Sequence, residues 1–434
     1  AVTVKLFPFF HSEKKNHHGF LGLVSLVSLF GFLLAAGGYL IFKPVITADA
    51  NQDSALFVSY YYYVIPLIFF TLFFNVFDAY YYRVLYNAVK GIMVKEVVQR
   101  VFILIVILLF YFEILSFHQT VLLYLFATIF PALRMLFSLV KAGKFNLKLD
   151  LKFIDKKFGK QIASVAFFGI ITSFSGVLVM NVDVLIVNRL LGLSAAGIFA
   201  ITSFFGSLIL VPLRTMGKIS SAVISEAWKN NDLELISKIY YKSSLSLSVI
   251  GILLFIGIWG NIDNVFHLIT DKYLPGKMVI LLIGISNLFD IAAGVSPHII
   301  VNSRYYKNLA YFILGFAVLI VFFNFLLIPI FGITGAALAA LISKLIYNLV
   351  KYIFLYKKFG FQPFDMNYVW LILIGLFAYY ASTMIPPFSN YLVDIVLRSA
   401  FISVLFIVPV YLLKISDDIN ARIEHTLRIV FRRS

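Results

Sequence analysis

Long apolar segments recur along almost the whole chain, and the short stretches between them carry most of the charged residues. A helix needs roughly 17–25 apolar residues to cross a hydrocarbon core of about 30 Å. Segments near this length predict twelve membrane-spanning helices. The predicted spans are Gly19–Phe42, Leu56–Phe77, Val101–Phe117, Val121–Val140, Ile162–Met180, Ala195–Leu213, Ser243–Trp259, Met278–Ile300, Leu309–Ile330, Ile333–Leu355, Val369–Met384 and Leu392–Leu413.

The continuity of these segments decides between the two architectures that can span a membrane. A barrel strand shows about ten residues of alternating apolar and polar positions, whereas the segments here are apolar throughout. Apolar residues make up 62% of the 434 positions and charged residues 13%, so lipid must solvate most of the chain. The predicted fold class is therefore an all-α polytopic membrane protein.

The distribution of basic residues predicts the orientation of the chain. Most of the 36 lysine and arginine residues fall at the termini and in the loops on one side of the predicted membrane. The loops on the opposite side carry only Lys43, Arg189, Lys272 and Lys277. Because cytoplasmic loops are enriched in lysine and arginine, both termini are predicted to be cytoplasmic. The helical periodicity of Ser220–Ile239 predicts an interfacial helix on the same side. The net charge of +16 then reflects membrane orientation, and no nucleic acid is expected as a partner.

Two short segments recur about 210 residues further along the chain. Arg134–Lys141 in the fourth span corresponds, position by position in charge or bulk, to Lys344–Lys351 in the tenth. Asn75–Asp78 in the second span corresponds to Asn287–Asp290 in the eighth. The two offsets are 210 and 212 residues, so the matches agree in order and nearly in register. The alternative is a chance likeness between apolar helices of narrow composition.

A repeat of this spacing predicts two parallel lobes of six helices, related by an axis along the membrane normal. Residues 1–150 form a predicted N-lobe with four helices, and residues 151–358 form a predicted C-lobe with six. Residues 359–434 form an appended helix pair and a cytoplasmic tail. The first two helices of the N-lobe have no counterpart here, so we expect them in about 50 residues upstream of Ala1.

Two glycine-punctuated segments carry a resemblance to a known family. Asn181–Ala200 looks like the end of the seventh helix, with its turn, of the Wzx-type polysaccharide and O-antigen flippases. Phe331–Ser343 looks like the start of their twelfth helix. These flippases share the MOP superfamily with the multidrug and toxin extrusion (MATE) antiporters. The resemblance implies a two-lobed MATE-like helical bundle in which this chain supplies helices three to fourteen.

The resemblance also implies a function. It implies a transporter, not an enzyme, that flips a polyprenyl-pyrophosphate-linked oligosaccharide across the bacterial inner membrane by alternating access. Such a transporter serves the biosynthesis of lipopolysaccharide and other surface polysaccharides. Its expected partners are the lipid bilayer, the lipid-linked oligosaccharide and other membrane proteins of polysaccharide assembly. No cofactor or metal is expected, but coupling to H⁺ or Na⁺ is.

Basic residues inside or beside the spans are candidates for binding the substrate. A pyrophosphate needs cationic surroundings inside the membrane, and a charge at a helix centre costs about 2.5–3.5 kcal/mol. Arg134 and its repeat partner Lys344 fit this role, one in each lobe. Arg214 and Lys218, just past the sixth span, are candidates for the cytoplasmic mouth. The alternatives are pairing with a carboxylate or snorkelling for the first pair, and ordinary positive-inside residues for the second.

Two carboxylates are candidates for coupling transport to an ion: Asp290 in the eighth span and Asp183 just after the fifth. An acid held at low dielectric can exchange a proton or a sodium ion in the physiological range. Either acid could instead be a structural partner of a basic residue. Interfacial solvation is the expectation for the charged residues near span ends, which are Asp78, Glu113, Arg189 and Arg398.

Three other functions compete with the flippase. A cation-coupled multidrug antiporter of the same superfamily stays open, because its coupling acid would lie in the first helix, which this chain lacks. A membrane oligosaccharide polymerase or glycosyltransferase needs a soluble domain or a long external loop with acid and basic groups, and the external loops here are short. A channel is disfavoured because there is no filter-like repeat. The absence of cysteine excludes thiol chemistry.

Overall fold

A computed structural model describes residues 17–47, 58–85, 89–150 and 155–431, together with Phe7, Phe10 and Ser12. Every regular element in these ranges is helical. The first α-helices are α1 (Phe20–Ile41), α2 (Lys43–Thr47), α3 (Val64–Leu85), α4 (Val89–Ile92), α5 (Gln99–Tyr111), α6 (Phe117–Lys141), α7 (Lys156–Leu191), α8 (Leu193–Ser207) and α9 (Val211–Lys229). The others are α10 (Leu233–Gly260), α11 (Ile262–Ile269), α12 (Lys277–Ala292), α13 (Ser296–Asn302), α14 (Tyr306–Phe331), α15 (Ile333–Phe359), α16 (Met366–Thr383), α17 (Tyr391–Leu412) and α18 (Asp417–Phe431).

Ten helical segments of the described ranges are long and apolar enough to cross a membrane. They correspond to the first, second, fourth and sixth to twelfth predicted spans. The third and fifth predicted spans are helical as well. The third lies largely in Val89–Tyr111, where the π-helix Met93–Val98 joins α4 to α5 without a break, and the fifth lies in α7. The chain is a multi-pass membrane protein.

The outward face of α14 shows what solvates these helices. Buried side chains recur every four residues at Phe316, Ile320, Asn324 and Ile328, and these positions form the face that packs inside the protein. The opposite face carries exposed apolar side chains, and four of them are 55–66% exposed: Val318, Phe322, Phe325 and Ile330. An apolar face of this length is stable against hydrocarbon and not against water.

By its internal contacts the chain divides into two compact units, Ala1–Gly169 and Ile170–Ser434. We call them unit 1 and unit 2. The boundary between them falls inside α7. The finer division into lobes at residues 1–150, 151–358 and 359–434 stays a prediction.

In unit 1, α3 packs against α1 and α6, and α5 packs against α6. Apolar side chains of α3 and α6 form the core of the unit. They include Phe74, Phe77 and Tyr80 from α3, and Met135 and Leu139 from α6.

In unit 2, α12 lies among α8, α10 and α15, and α14 packs along α15. Small residues allow the close approach of α14 and α15. Ala336, Ala337 and Ala340 are almost fully buried, and a β-carbon at Gly335 would collide with the backbone carbonyl of Leu327. Helices α16 and α17 pack on each other and on α10.

The sequence repeat has a structural counterpart in the packing of the helices. Its two segments lie on α3 and α6 in unit 1, and on α12 and α15 in unit 2. These two helices pack directly against each other within each unit. Each matching pair of segments therefore lies on a packed helix pair, as a structural repeat would require.

One predicted element is wrong. The sequence pattern predicts an interfacial helix over Ser220–Ile239, but α9 ends at Lys229 and α10 begins at Leu233. Asn231 adopts a left-handed conformation with φ of 53°, and the Asp232 carboxylate accepts a hydrogen bond from the backbone amide of Leu235 at 2.9 Å. A cap of this kind starts a new helix.

Two predicted spans end earlier than the apolar pattern suggests. Helix α12 ends at Ala292 rather than at Ile300, because Gly294 takes a φ of 52° and α13 then begins at Ser296. Helix α5 ends at Tyr111 rather than near Phe117, and the side chain of Ser116 caps the following helix α6 together with Gln119.

Candidate functional site

An ion pair joins α12 and α15 in unit 2. Lys344 Nζ lies 2.9 Å from Asp290 Oδ2, and the two side chains are 18% and 20% exposed. A carboxylate and an ammonium that are both largely buried are much less costly together than apart. Asp290, predicted for ion coupling, and Lys344, predicted for substrate binding, thus belong to one site.

Two asparagines complete the hydrogen bonding of this ion pair. Lys344 donates to the side-chain oxygen of Asn287, whose own amide donates to the backbone carbonyl of Gly206 at 2.8 Å. Asn348 donates to Asp290 Oδ1 at 2.9 Å. Both asparagines are buried. They fix the positions of the lysine and the carboxylate, so the geometry of the pair is set before any ligand binds.

A second lysine, Lys351, lies two turns beyond Lys344 on α15 and is 2% exposed. Its Nζ lies 4.2 Å from the centroid of the Tyr347 ring, which in turn stacks on Phe316. Asp290 is the carboxylate that interacts electrostatically with Lys351. We call Asn287, Asp290, Lys344, Asn348 and Lys351 the charge cluster.

Asp183 lies on α7 and contacts α14. Helix α7 continues to Leu191, so Asp183 is inside a helix rather than just after one, as the sequence suggested. The Asn324 amide of α14 donates to Asp183 Oδ1 at 2.6 Å. The side-chain oxygen of Asn324 is buried and has no hydrogen-bond partner among the described residues. Lys344 is the cation whose charge acts on Asp183.

Arg134, the repeat partner of Lys344, has different surroundings in unit 1. Its guanidinium donates to Ser138 Oγ at 2.8 Å and lies 5.9 Å from the centroid of the Phe137 ring. Within the ranges that the structure covers, Arg134 forms no ion pair. Its charge is therefore held by a hydroxyl and an aromatic ring, whereas Lys344 is held by a carboxylate.

Asp78, the repeat partner of Asp290, forms no ion pair with Arg134 in the described ranges. Its carboxylate packs against Gly91 of α4, where any β-carbon would overlap it, and Lys95 is the cation that acts on it. Asn75 is exposed, whereas its counterpart Asn287 is buried. The repeated residues thus form a closed cluster in unit 2 and stay separate in unit 1.

The two candidates for the cytoplasmic mouth lie on α9, one turn apart. Arg214 is exposed, and the side chain of Lys218 lies outside the described residues. Their role in admitting the substrate stays a prediction.

The expectation of interfacial solvation is wrong for Arg398. Its side chain is 10% exposed and forms a bidentate ion pair with Asp394 one turn earlier on α17, with N–O distances of 3.1 and 3.0 Å. It also donates to the backbone carbonyl of Ser382 at 2.7 Å. Asn264 of α11 donates to Asp394. This pair ties α17 to α11 and to the end of α16, which is a structural role.

Sequence reasoning missed Lys351 and both asparagines of the charge cluster. A usable signal was present, because Lys344 and Lys351 are seven residues apart and so lie on one face of a helix. Asn287 and Asp290 are three residues apart and share a face in the same way. The pairing of these faces depends on which helices pack, and that is not visible in one sequence.

Among solved structures, lipid II flippase MurJ in its inward closed conformation is similar to this chain, with a TM-score of 0.70. The sequence identity is 14%, over 93% of this chain and 87% of MurJ. A MATE protein in the straight conformation gives a TM-score of 0.58 at 12% identity, over 83% of this chain and 82% of that one. An outward-facing multidrug resistance MATE family transporter of the MOP superfamily gives 0.54 at 14% identity, over 83% and 81%.

No protein-family profile and no curated protein sequence matches the chain. The structural likeness confirms the predicted fold class, a MATE-like helical bundle. At this level of identity it establishes the fold alone, so the transported substrate has to be argued from the residues of this chain.

Proposed function

We propose that this protein is a MOP-type transporter that flips a polyprenyl-pyrophosphate-linked oligosaccharide across the bacterial inner membrane for the synthesis of surface polysaccharide. The observation that carries the proposal is the pair of largely buried lysines on α15, Lys344 and Lys351, inside a fold shared with a lipid II flippase. Buried basic residues in a membrane bundle are costly and mark sites of function.

The chemistry of such a substrate matches these lysines. A pyrophosphate cannot enter hydrocarbon without compensating charge or hydrogen bonds, and lysine ammonium groups supply both. The polyprenyl tail needs no such site, because the outward helix faces and the lipid are equally apolar. Arg134 is the corresponding cation of unit 1, and Arg214 and Lys218 serve admission from the cytoplasm.

Asp183 is the better supported of the two candidates for ion coupling. Asp290 already accepts from Lys344 and Asn348, so both of its oxygens are engaged. Asp183 is held by the neutral Asn324, whose side-chain oxygen accepts no hydrogen bond from the described residues and adds a second oxygen ligand nearby. Hard cations such as Na⁺ are bound by oxygen ligands of this kind. We therefore assign coupling to H⁺ or Na⁺ to the Asp183–Asn324 pair.

A reconstitution experiment tests the proposed substrate. The full-length protein is placed in proteoliposomes, and translocation of a lipid-linked oligosaccharide is followed by its accessibility to an added enzyme. Arg134→Ala combined with Lys344→Ala should slow translocation at least about tenfold, which corresponds to about 1.4 kcal/mol. Lys141→Ala combined with Lys357→Ala changes exposed lysines at the ends of the same two helices and should leave the rate unchanged. Equal rates in the two double variants would reject the site.

A cation-coupled drug antiporter is the second candidate, and the half-buried carboxylate of Asp183 together with the likeness to MATE transporters favours it. Export of a cationic dye against an imposed H⁺ or Na⁺ gradient distinguishes the two functions. Dye export that Asp183→Asn abolishes, without any oligosaccharide translocation, would replace the flippase by the antiporter.

A further inference from the structure

Six polar and aromatic side chains meet at one end of unit 1. They come from the end of α1, the start of α2, the turn before α3 and the start of α6. We call them the aromatic cluster, and its members are Tyr39, Lys43, Tyr60, Tyr61, Tyr62 and His118. The distribution of basic residues predicts that this end of the unit lies outside the cytoplasm.

The inner part of the aromatic cluster is a fixed framework. Tyr61 is fully buried, and its ring stacks on that of Tyr39 with the centroids 4.2 Å apart. The hydroxyl of each of these two tyrosines donates to the backbone carbonyl of the other. The hydroxyl of Tyr60 lies 3.1 Å from Nδ1 of His118 on α6. These contacts join separate segments of the chain, so the cluster is ordered before any ligand binds.

Tyr62 is the exposed tyrosine of the cluster. It is 54% exposed, and its ring stands at 89° to the ring of Tyr61. Its hydroxyl accepts a hydrogen bond from Lys43 Nζ at 2.8 Å. Lys43 Nζ also lies 4.6 Å from the centroid of the Tyr62 ring. Tyr62 therefore presents an aromatic surface in a fixed orientation, with an ammonium group beside it.

An interfacial belt is the ordinary explanation for tyrosines at the end of a membrane helix. A belt tyrosine needs only lipid around its ring and water at its hydroxyl. In this cluster the hydroxyls of Tyr39 and Tyr61 bind backbone carbonyls, and Lys43 holds that of Tyr62. Lys43 is also one of only four basic residues on the predicted outer side. The arrangement is therefore more specific than a belt requires.

We propose that the aromatic cluster binds a pyranose ring of the oligosaccharide on the outer side of the membrane, with the apolar face of the sugar stacked on Tyr62. This inference rests on the proposed function and adds to it a carbohydrate site in unit 1.

The chemistry of a pyranose matches this surface. The sugar has an apolar face of C–H groups and hydroxyls around its edge, so it needs an aromatic ring flanked by hydrogen-bonding groups. Tyr62 supplies the ring. Lys43 donates once to Tyr62 and keeps further N–H groups for sugar hydroxyls. The exposed His118 offers its second ring nitrogen to another hydroxyl.

The inference is tested by saturation-transfer difference NMR on the full-length protein in phosphatidylcholine nanodiscs. The probe is the lipid-free oligosaccharide released from the surface polysaccharide of the bacterium that encodes this chain. Saturation should reach the ring C–H protons of the sugar. Tyr62→Ala should weaken binding at least about fivefold, and Lys43→Met should weaken it as well. Tyr62→Phe keeps the aromatic ring and should bind within a few-fold of the unaltered protein.

Tyr111→Ala is the matched control. Tyr111 ends α5 on the same predicted side and is 76% exposed, as a belt residue would be, and its loss should leave the affinity unchanged. An equal loss in Tyr62→Ala and Tyr111→Ala, or no loss in either, would overturn the proposal in favour of a belt. Thermal unfolding in the same nanodiscs shows whether Tyr62→Ala is folded. If it is not folded, Lys43→Met decides, and an unchanged affinity in that variant would overturn the proposal.

A last comparison distinguishes this inference from the proposed function. A protein that translocates lipid-linked oligosaccharide but binds the free oligosaccharide equally with and without the Tyr62 ring would refute the inference alone. A protein that binds the oligosaccharide through Tyr62 but translocates none would refute the proposed function alone.

Discussion

Individual charged side chains in this protein fall into two classes according to how they are neutralised. All three guanidinium nitrogens of Arg398 donate to an oxygen, either of Asp394 or of a backbone carbonyl. Lys351 has one aromatic ring. A fully satisfied charge fixes the structure, whereas an incompletely satisfied one is available to a ligand. The number of direct partners therefore distinguishes a structural charge such as Arg398 from a candidate functional charge such as Lys351.

The Asp394–Arg398 pair predicts a distinctive pattern of stability. Arg398→Leu leaves Asp394 buried without its cation and should cost about 3–5 kcal/mol, whereas Arg398→Leu with Asp394→Leu should be much closer to neutral. Thermal unfolding of purified protein in detergent measures both variants.

The exposed pair Glu96–Arg100 has the same spacing and is the matched control, with side chains that are 51% and 72% exposed. Arg100→Leu should cost less than about 1 kcal/mol. Similar losses for Arg398→Leu and Arg100→Leu would contradict a structural role for the buried pair.

The sequence alone was sufficient to select Lys344, Asp290 and Asp183, because a charge inside an apolar segment is conspicuous and costly. It could not assign their partners. Lys344 pairs with Asp290 across two helices that are distant in the chain, and Asn324 reaches Asp183 from a third helix. Such pairing depends on helix packing, which the apolar pattern of a single helix leaves undetermined. Arg398 was misread for the same reason, since its partners lie partly in the loop before α17.

At the scale of the helices, the hairpin of α14 and α15 depends on the absence of a side chain at one position. A β-carbon at Gly335 would overlap the carbonyl of Leu327 on the preceding helix. Backbone atoms cannot rotate away as a side chain can, so an added methyl group must push the helices apart. The same hairpin positions Lys344, Asn348 and Lys351 on α15 opposite α12.

Two glycine substitutions with opposite expected effects on stability test this packing. Gly335→Ala should destabilise the protein by about 1–3 kcal/mol. Gly315→Ala on α14 adds the same methyl group where nothing lies within 4 Å, and it should stabilise the protein by up to about 1 kcal/mol because alanine favours a helix. Unfolding temperatures of the two variants give the comparison, and a shift of the same sign in both would contradict the close approach at Gly335.

Helix existence was easier to predict than helix ends. Long apolar runs decide whether a helix forms, but its ends depend on single residues such as Ser116, Gly294 and Asp232. The predicted interfacial helix failed because the apolar face continues across the turn at Asn231. Ile224 before the turn and Ile236 after it are buried in the same core cluster. The apolar periodicity correctly indicated that these residues share a buried face, and it wrongly indicated that one continuous helix carries them.

At the scale of the whole molecule, the fold follows from solvation by lipid and from the repeated helix pair. The repeat was readable because two anchor segments agreed in order and spacing, and the packing of α3 with α6 and of α12 with α15 matches it. The sequence did not reveal how the repeated residues are buried within each unit. Asn287 is buried and Asn75 is exposed, so two segments with the same sequence pattern have different surroundings.

The asymmetry of lysine and arginine gives a prediction for the whole chain. A fluorescent protein fused after Ser434 should fold and fluoresce, and alkaline phosphatase at the same point should be inactive, because the C-terminus is predicted to be cytoplasmic. Fusion of the same reporters in the loop near Lys272 should give the opposite result. A periplasmic signal from both fusion points would refute the predicted orientation.

The two buried ion pairs differ in where their partners lie along the chain, and this has a consequence for biogenesis. Asp394 and Arg398 are one turn apart on α17, so that helix can leave the translocon with its charges already paired. Lys344 and Lys351 on α15 depend on Asp290, which lies on the earlier helix α12. Each unpaired charge adds about 2.5–3.5 kcal/mol to insertion. We therefore expect α17 to insert as an isolated segment, whereas α15 inserts efficiently only while α12 is still beside the translocon.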